Sequence, residues 1–351
     1  LIVRIVVVGG SGNVGTSLLA SLAGEPSVDT ILAVARRIPE RSFAKTEWAS
    51  ADISRDDLVP LFRGADCVVH LAWLIQPSHD PARLWLTNVH GSRRLLRAAA
   101  AARVRALVYA SSVGAYSRGP KQRSVDESWP TDGIQSSYYA RHKRAVEREL
   151  DRFEQEQPAI RIARLRPAFI FKREAGAGVR RLFLGPFVPG FALRPGRLPV
   201  VPSHPDFRFQ CVHSYDAGDA YRLAAVREEA RGSFNIAADP VLDGPLIARN
   251  LRSRTVPVSP RLARAFFDLT WRLRLQPVDG SWMDLAYGVP LLDASRARRE
   301  LGWAPRYDAE HALRDIVEGI AEGAGIETPP LDPDKSRLEE IATRVGGTEQ
   351  Q

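Results

Sequence analysis

The sequence predicts an α/β fold, a doubly wound parallel sheet with a smaller C-terminal subdomain, and three observations lead there. The chain opens with an apolar, β-branched run at residues 2–8 that breaks directly into Gly9-Gly10-Ser11-Gly12-Asn13-Val14-Gly15. Short apolar runs then alternate with helix-period segments as far as about Leu165. From about Pro167 the texture changes, and proline and glycine become dense between Gly176 and Pro205. Alternating strands and helices imply a parallel sheet covered on both faces, with ligands bound beyond the strands' carboxyl ends.

Each element follows from its residues. Gly9, Gly12 and Gly15 are spaced three apart between the first strand and an apolar-periodic helix over 17–23. Such spacing permits a tight turn, close approach of backbone amides to a pyrophosphate, and helix-to-strand packing without a side chain between them. Further strand-like runs lie at 30–35, 67–72, 106–111 and 160–165, separated by helix-like segments around 56–62, 84–102 and 137–153. Beyond 167, residues 259–275 read as a helix rich in large apolar residues, and strand-like 207–212 and 233–237 are candidates to return to the main sheet. The expected domains are a dinucleotide-binding unit at 1–166 and a mainly substrate-binding unit at 167–327, some of whose segments return to the sheet. A proline-rich, then charged tail at 328–351 is expected to be mobile or weakly docked.

Composition bounds the function. At 351 residues with 44% hydrophobic content, the chain fills a globular core. Its net charge of +8 comes from arginines scattered over many segments, without a basic block, so no nucleic-acid partner is expected. Cys67 and Cys211 are the two cysteines and lack metal-ligand spacing, which argues against a disulfide framework or a metal site and fits a reduced cytoplasm. The opening strand is too short to span a bilayer, so no membrane segment and no membrane partner are expected.

The end of the second strand bears on cofactor choice. About twenty residues after the glycine turn an NAD site usually places an acid for the adenosine ribose, whereas this chain reads Val34-Ala35-Arg36-Arg37. A guanidinium pairs bidentately with a 2′-phosphate that a carboxylate would repel, so Arg36 and Arg37 favour NADP, with NAD possible. Asp52-Ile53 follows a third strand-like stretch, where an aspartate accepts from the adenine amino group.

The chemistry is expected mid-chain. Tyr139 and Lys143 are four apart in Ser136-Ser137-Tyr138-Tyr139-Ala140-Arg141-His142-Lys143, on one face of a helix that the serines cap. A free tyrosine titrates near ~10. A cation ~4 Å away contributes roughly 4 kcal/mol at an effective dielectric of ~20, so Lys143 is expected to supply most of the shift toward neutrality. Tyr138 with His142 has the same spacing. Ser112, in Ala110-Ser111-Ser112-Val113-Gly114 after a strand, is placed to hold a substrate oxygen.

Together these residues resemble the extended branch of the short-chain dehydrogenase/reductase family, which includes NAD(P)-dependent sugar-nucleotide epimerases and dehydratases. The resemblance runs from Val3 to about Tyr307 and takes in His70-Leu71-Ala72-Trp73, Asn88-Val89-His90-Gly91, Arg166-Pro167, the stretch from Val212 to Ala220, and Leu301-Gly302-Trp303-Ala304-Pro305. It implies a Rossmann-type fold, with Ser112, Tyr139 and Lys143 as the catalytic group and Lys143 also holding the nicotinamide ribose. It further implies that Gly9, Gly12, Asn13, Val14 and Gly15 hold the pyrophosphate, that Leu71 and Ala72 line the cofactor's path, and that Asn88 and Pro167 sit near its nicotinamide end. His70, Arg166, His213 and Asp216 are implied as framework, and a homodimer is suggested.

Departures from the family pattern narrow the reaction. Dehydratases carry an acidic pair after the catalytic hydroxyl residue, where this chain has Val113 and Gly114. The apolar, aromatic stretch from Leu182 to Phe191 suits an apolar carbonyl compound, although Arg180, Arg181, Arg194 and Arg197 lie nearby. The expected activity is an NADP-dependent oxidoreductase that interconverts a carbonyl and a secondary alcohol on an unidentified small molecule. The alternatives are a sugar-nucleotide epimerase and a non-catalytic dinucleotide sensor.

Overall fold

The computed structural model describes residues 3–333 and 345. Its centre is a seven-stranded sheet built from β1 (Val3–Val8), β2 (Val28–Ala35), β3 (Thr46–Ser50), β4 (Cys67–His70), β5 (Ala106–Ala110), β6 (Arg161–Pro167) and β7 (Gly232–Ile236), in the order β7-β6-β5-β4-β1-β2-β3. Every neighbouring pair is parallel. Strand order reverses at β1, so the crevice beyond the ends of β1 and β4 is the topological switch point where ligands bind in such sheets.

Alternation along β1 shows why the sheet is buried on both sides. Ile5 and Val7 join one core with Leu18, Leu19, Tyr221, Phe234 and Trp303, while Val6 and Val8 join another with Leu95, Leu107, Leu150 and Ile162. Four helices cover these faces: α1 (Asn13–Ala23), α2 (Ser92–Ala101), α3 (Tyr138–Glu156) and α4 (Ser214–Val226). The α1 and α4 backbones nearly touch, since a Cβ on Gly218 would lie 2.8 Å from the Ser17 carbonyl oxygen.

Three expectations need correction. The helix expected over 56–62 shrinks to Val59–Phe62, because Asp52 accepts from Ser54 and Asp57 accepts from the Val59 amide, turns that compete with helix. The continuous helix expected over 84–102 is broken into Pro81–Trp85, a π-helical turn at Leu86–Gly91, and α2. Of the two returning strands, 233–237 joins the main sheet as β7. The other, Arg208–His213, pairs instead with Phe169–Phe171 and Ala238–Asp243 in a separate three-stranded sheet of the subdomain.

The start of the tail, 328–333, packs on the fold. Thr328 and Leu331 are buried, Leu331 packs with Ala175, Ile316 and Ile320, and the Leu331 amide donates to the Thr328 carbonyl. The expectation for 334–344 and 346–351 falls outside the described residues.

Candidate active site

The glycine turn separates packing from ligand space. Gly9 has φ +91°, and a Cβ there would lie 2.6 Å from the Ala72 amide nitrogen; a Cβ on Gly15 would lie 2.4 Å from the Gly9 oxygen. Both positions therefore need glycine for the fold itself. Gly12 does not, because its Cβ would meet only the Gly9 oxygen, at an ordinary 3.6 Å. The space kept open at Gly12 lies at the start of α1, where the first-turn amides have no partners within the helix, and it fits a pyrophosphate. Leu71 donates its amide to the Val8 carbonyl, and with Ala72 it forms the wall opposite the turn.

Other residues expected at the cofactor stand one layer back. The Asn13 side chain donates to the Ile170 carbonyl, so the backbone of Asn13, rather than its amide group, belongs to the turn; Val14 packs against the core. Asn88, 1% exposed, accepts from the Leu74 amide at 2.7 Å and donates to the Leu74 carbonyl at 2.8 Å. It pins the loop after β4 from behind. Pro167 is buried at the end of β6, opposite Ile236. Ile53 is buried against Gly91.

At the other end of the crevice, Arg36 and Arg37 are exposed beyond β2. Burial and the like charges of Arg83, Arg37 and Arg55 hold the Arg36 guanidinium below its ordinary pKa, against the charge of Asp52. Burial would raise the Asp52 carboxyl, but hydrogen bonds from Ser54 and the charge of Arg36 keep it below the usual range. This crowd of guanidiniums favours an anion.

Ser112 follows β5 and caps the short turn Val113–Ala115, its Oγ accepting from the Gly114 amide at 3.0 Å. Ser137 caps α3, which carries Tyr139 and Lys143 on one face. The Ser112 side chain faces the Tyr139 hydroxyl and acts to lower its pKa. Gly114 makes this approach possible, since a Cβ there would lie 2.9 Å from the Tyr139 ring. Lys143 is buried, donates from Nζ to the Ala110 carbonyl at 2.7 Å, and sits 3.5 Å from the centroid of the Trp73 ring.

The electrostatics correct one expectation. Burial pushes the Tyr139 phenol up to about 12, and Ser112 offsets only part of that. Lys143 does not pull Tyr139 toward neutrality; its own ammonium is driven well below the ordinary range by burial, against support from Glu147. In this state Tyr139 is a protonated phenol.

Helix register also separates the two tyrosines. Tyr138 is buried, donates to the Ile75 carbonyl at 2.9 Å and receives the Trp282 indole N–H, while His142 faces Asn88 at 3.4 Å. That pair is structural. His213 meets Asp315, and Asp216 receives the Tyr307 amide and the Arg306 side chain, so these framework positions tie the late Trp303-Ala304-Pro305 stretch to α4.

Sequence reasoning missed the walls around Tyr139. Trp73 and Trp282 stand with ring centroids 5.9 and 5.4 Å from its ring; Phe183, which meets Trp282 edge-on at 4.9 Å, belongs to the Leu182–Phe191 stretch already expected on the substrate side. The Trp73 indole N–H is buried without a hydrogen-bond partner among the described residues. Arg180 and Arg181, nearby in sequence, are buried and donate to the carbonyls of Gly185, Pro330 and Asp332. A cavity of about 460 Å³ between Gly190, Phe191, Ile320 and Pro333 includes none of Ser112, Tyr139 and Lys143 in its lining.

The model of the NAD dependent epimerase/dehydratase family matches residues 5–237. An uncharacterized protein of Mycobacterium tuberculosis is 27% identical, covering 95% of this chain and 87% of that protein. A 4-hydroxy-2-methyl-3-oxo-4-farnesyl-3,4-dihydroquinoline-1-oxide ketoreductase of Stigmatella aurantiaca is 27% identical over 92% of this chain and 98% of its own. Among solved structures, a UDP-glucose-4-epimerase of Stenotrophomonas maltophila with bound NAD superposes with a TM-score of 0.67 at 21% identity, covering 91% of this chain and 98% of that one.

Proposed function

The chain belongs to the NAD dependent epimerase/dehydratase family, and from that premise we propose that it is an NADP-dependent oxidoreductase interconverting a carbonyl and a secondary alcohol on a largely apolar small molecule. The observation that carries this reading is the setting of Tyr139: its hydroxyl faces Ser112 and its ring is boxed by Trp73 and Trp282, with Phe183 behind. Such walls gain more from apolar surface than from a diphosphate. The buried Arg180 and Arg181, spent on backbone carbonyls, point the same way, as does the ketoreductase relative with its farnesylated substrate.

Gly9, Gly12 and Gly15 would hold the pyrophosphate of the dinucleotide, and Arg36 and Arg37 its 2′-phosphate. The nicotinamide supplies or accepts the hydride when bound. Ser112 orients the carbonyl oxygen, and Tyr139, protonated, donates its phenolic proton to that oxygen. Lys143, with Nζ 5.7 Å from the Tyr139 ring centroid, would hold the nicotinamide ribose beside the tyrosine.

The test is cofactor titration followed by turnover. Purified protein should bind NADPH more tightly than NADH and consume NADPH with apolar ketones. Arg36→Asp should erase or reverse the preference, since charged hydrogen bonds contribute roughly 1.5–3 kcal/mol each. Interconversion of UDP-hexoses with tightly retained NAD would select the epimerase instead, and ligand-dependent partner binding without turnover the sensor.

A further inference from the structure

We propose that the outer face of the helix Pro260–Arg272 docks the protein on the surface of an anionic lipid bilayer. Leu262, Phe266, Leu269 and Leu273 are 69%, 61%, 57% and 59% exposed. Their spacing of four, three and four residues aligns them in one stripe along the helix and its first following residue. Folding does not explain that stripe. The inner face is already seated by Phe267, which packs with the cluster around Trp282, and by Trp271, which stacks on His79 at 4.2 Å and donates its indole N–H to Ser78.

The charges around the stripe identify its partner. Arg261 and Arg272 are exposed beside it, and Arg274 follows. Of three nearby acids, Asp268 and Asp284 are engaged by Arg264, Asp268 also accepts the Gly280 amide, and Asp279 accepts from the Ser281 amide and hydroxyl. Large apolar side chains next to uncompensated cations are what an interfacial helix presents to headgroups and acyl chains of an anionic leaflet. A second copy of the chain fits less well, because a two-fold contact through this stripe would bring Arg261 and Arg272 against their own like charges. The expectation of no membrane partner rested on the lack of a spanning segment, and a surface helix needs none. Among the described residues, no helix is long and apolar enough to cross a membrane. Docking of this kind does not depend on which reaction the site runs.

Flotation with vesicles tests it on the full chain. The protein should float with vesicles of equimolar phosphatidylcholine and phosphatidylglycerol, much less with phosphatidylcholine alone, and should be released by salt. Phe266→Ser/Leu269→Ser should lower partition at least tenfold, and Arg261→Glu/Arg272→Glu should lower it by about fivefold or more per arginine on the anionic vesicles. Unchanged NADPH titration shows that each variant is folded. Absence of flotation with either vesicle overturns the proposal, as does flotation that the variants leave unchanged. Two further results also overturn it: a dimer in solution that the Ser variants split, or vesicle binding that appears only after residues 334–351 are removed.

Discussion

Tyr139 and its neighbour Tyr138 share a helix turn, and the proposed mechanism gives chemistry to the first and packing to the second. Tyr138 spends its hydroxyl on the Ile75 carbonyl and the Trp282 indole, so Tyr138→Phe should leave turnover largely intact while costing about 1–3 kcal/mol in denaturant unfolding, the cost of unpaired buried groups. Burial raises the phenol of Tyr139 as it does that of Tyr138, for Tyr139 to about 12. As the acid in carbonyl reduction it must be protonated, a state that persists far above neutrality. Single-turnover reduction should therefore stay flat between about pH 6 and 9, whereas alcohol oxidation, which needs the ionised form, should rise with pH by up to about tenfold per unit. A reduction rate that falls through a titration near neutrality would contradict this assignment. At this scale much was legible: Ser112, Tyr139, Lys143 and the three glycines lie in local motifs. Gly114 was legible only as a missing acid, and its steric reason, the Tyr139 ring 2.9 Å from a Cβ there, is a three-dimensional fact.

α3 does more than present Tyr139 and Lys143. One turn beyond Lys143, the buried Glu147 accepts from Ser111 at 2.5 Å, from Arg164 at 3.0 Å, and from Arg166 at 2.9 and 3.0 Å, which fastens the helix to β6 and to the Ser111-Ser112 turn. Burial works against the Glu147 carboxylate, but Arg166, Arg164 and Ser111 hold it down at about 2. Its folded pKa is depressed, so its stabilisation is complete above the unfolded value near ~4.3 and is lost as pH falls toward about 2. Glu147→Gln should cost about 3–5 kcal/mol at neutral pH, as expected when one partner of a buried ion pair is removed. It should also flatten the acid-induced loss of stability between those two pH values, which stepwise urea melts would show; equal acid sensitivity in both proteins would refute the role. Elements of this sheet were readable from apolar runs. The break in the helix expected over 84–102 was not, because the π-helical turn serves a tertiary contact, the hold of Asn88 on Leu74.

For the whole molecule, a parallel sheet covered on both faces with ligand space beyond the strands' carboxyl ends follows from strand-helix alternation, whereas the strand order that puts the crevice at β1 and β4 comes from the pairing itself. The assignment of 207–212 and 233–237 to different sheets did not follow from pattern, since both segments have strand character and only packing separates them. The aromatic box has the same character: Trp73, Phe183 and Trp282 come from three distant parts of the chain, and only Phe183, in the aromatic stretch from Leu182 to Phe191, leaves a local signal. The proposed function has the dinucleotide bind the folded protein at the switch point, so NADPH should raise the melting temperature more than NADH at equal concentration, with the difference growing as concentration rises. Equal shifts would remove the argument from Arg36 and Arg37.

The central claim, that Tyr139 is the proton donor of a nicotinamide-dependent carbonyl reduction, is tested most directly by single-turnover loss of NADPH absorbance with an apolar ketone, comparing the unmodified protein with Tyr139→Phe. The phenylalanine keeps the ring between Trp73 and Trp282 and removes the proton. The rate should fall by about 10²–10⁴-fold while NADPH affinity is unchanged; full turnover in Tyr139→Phe would contradict the account.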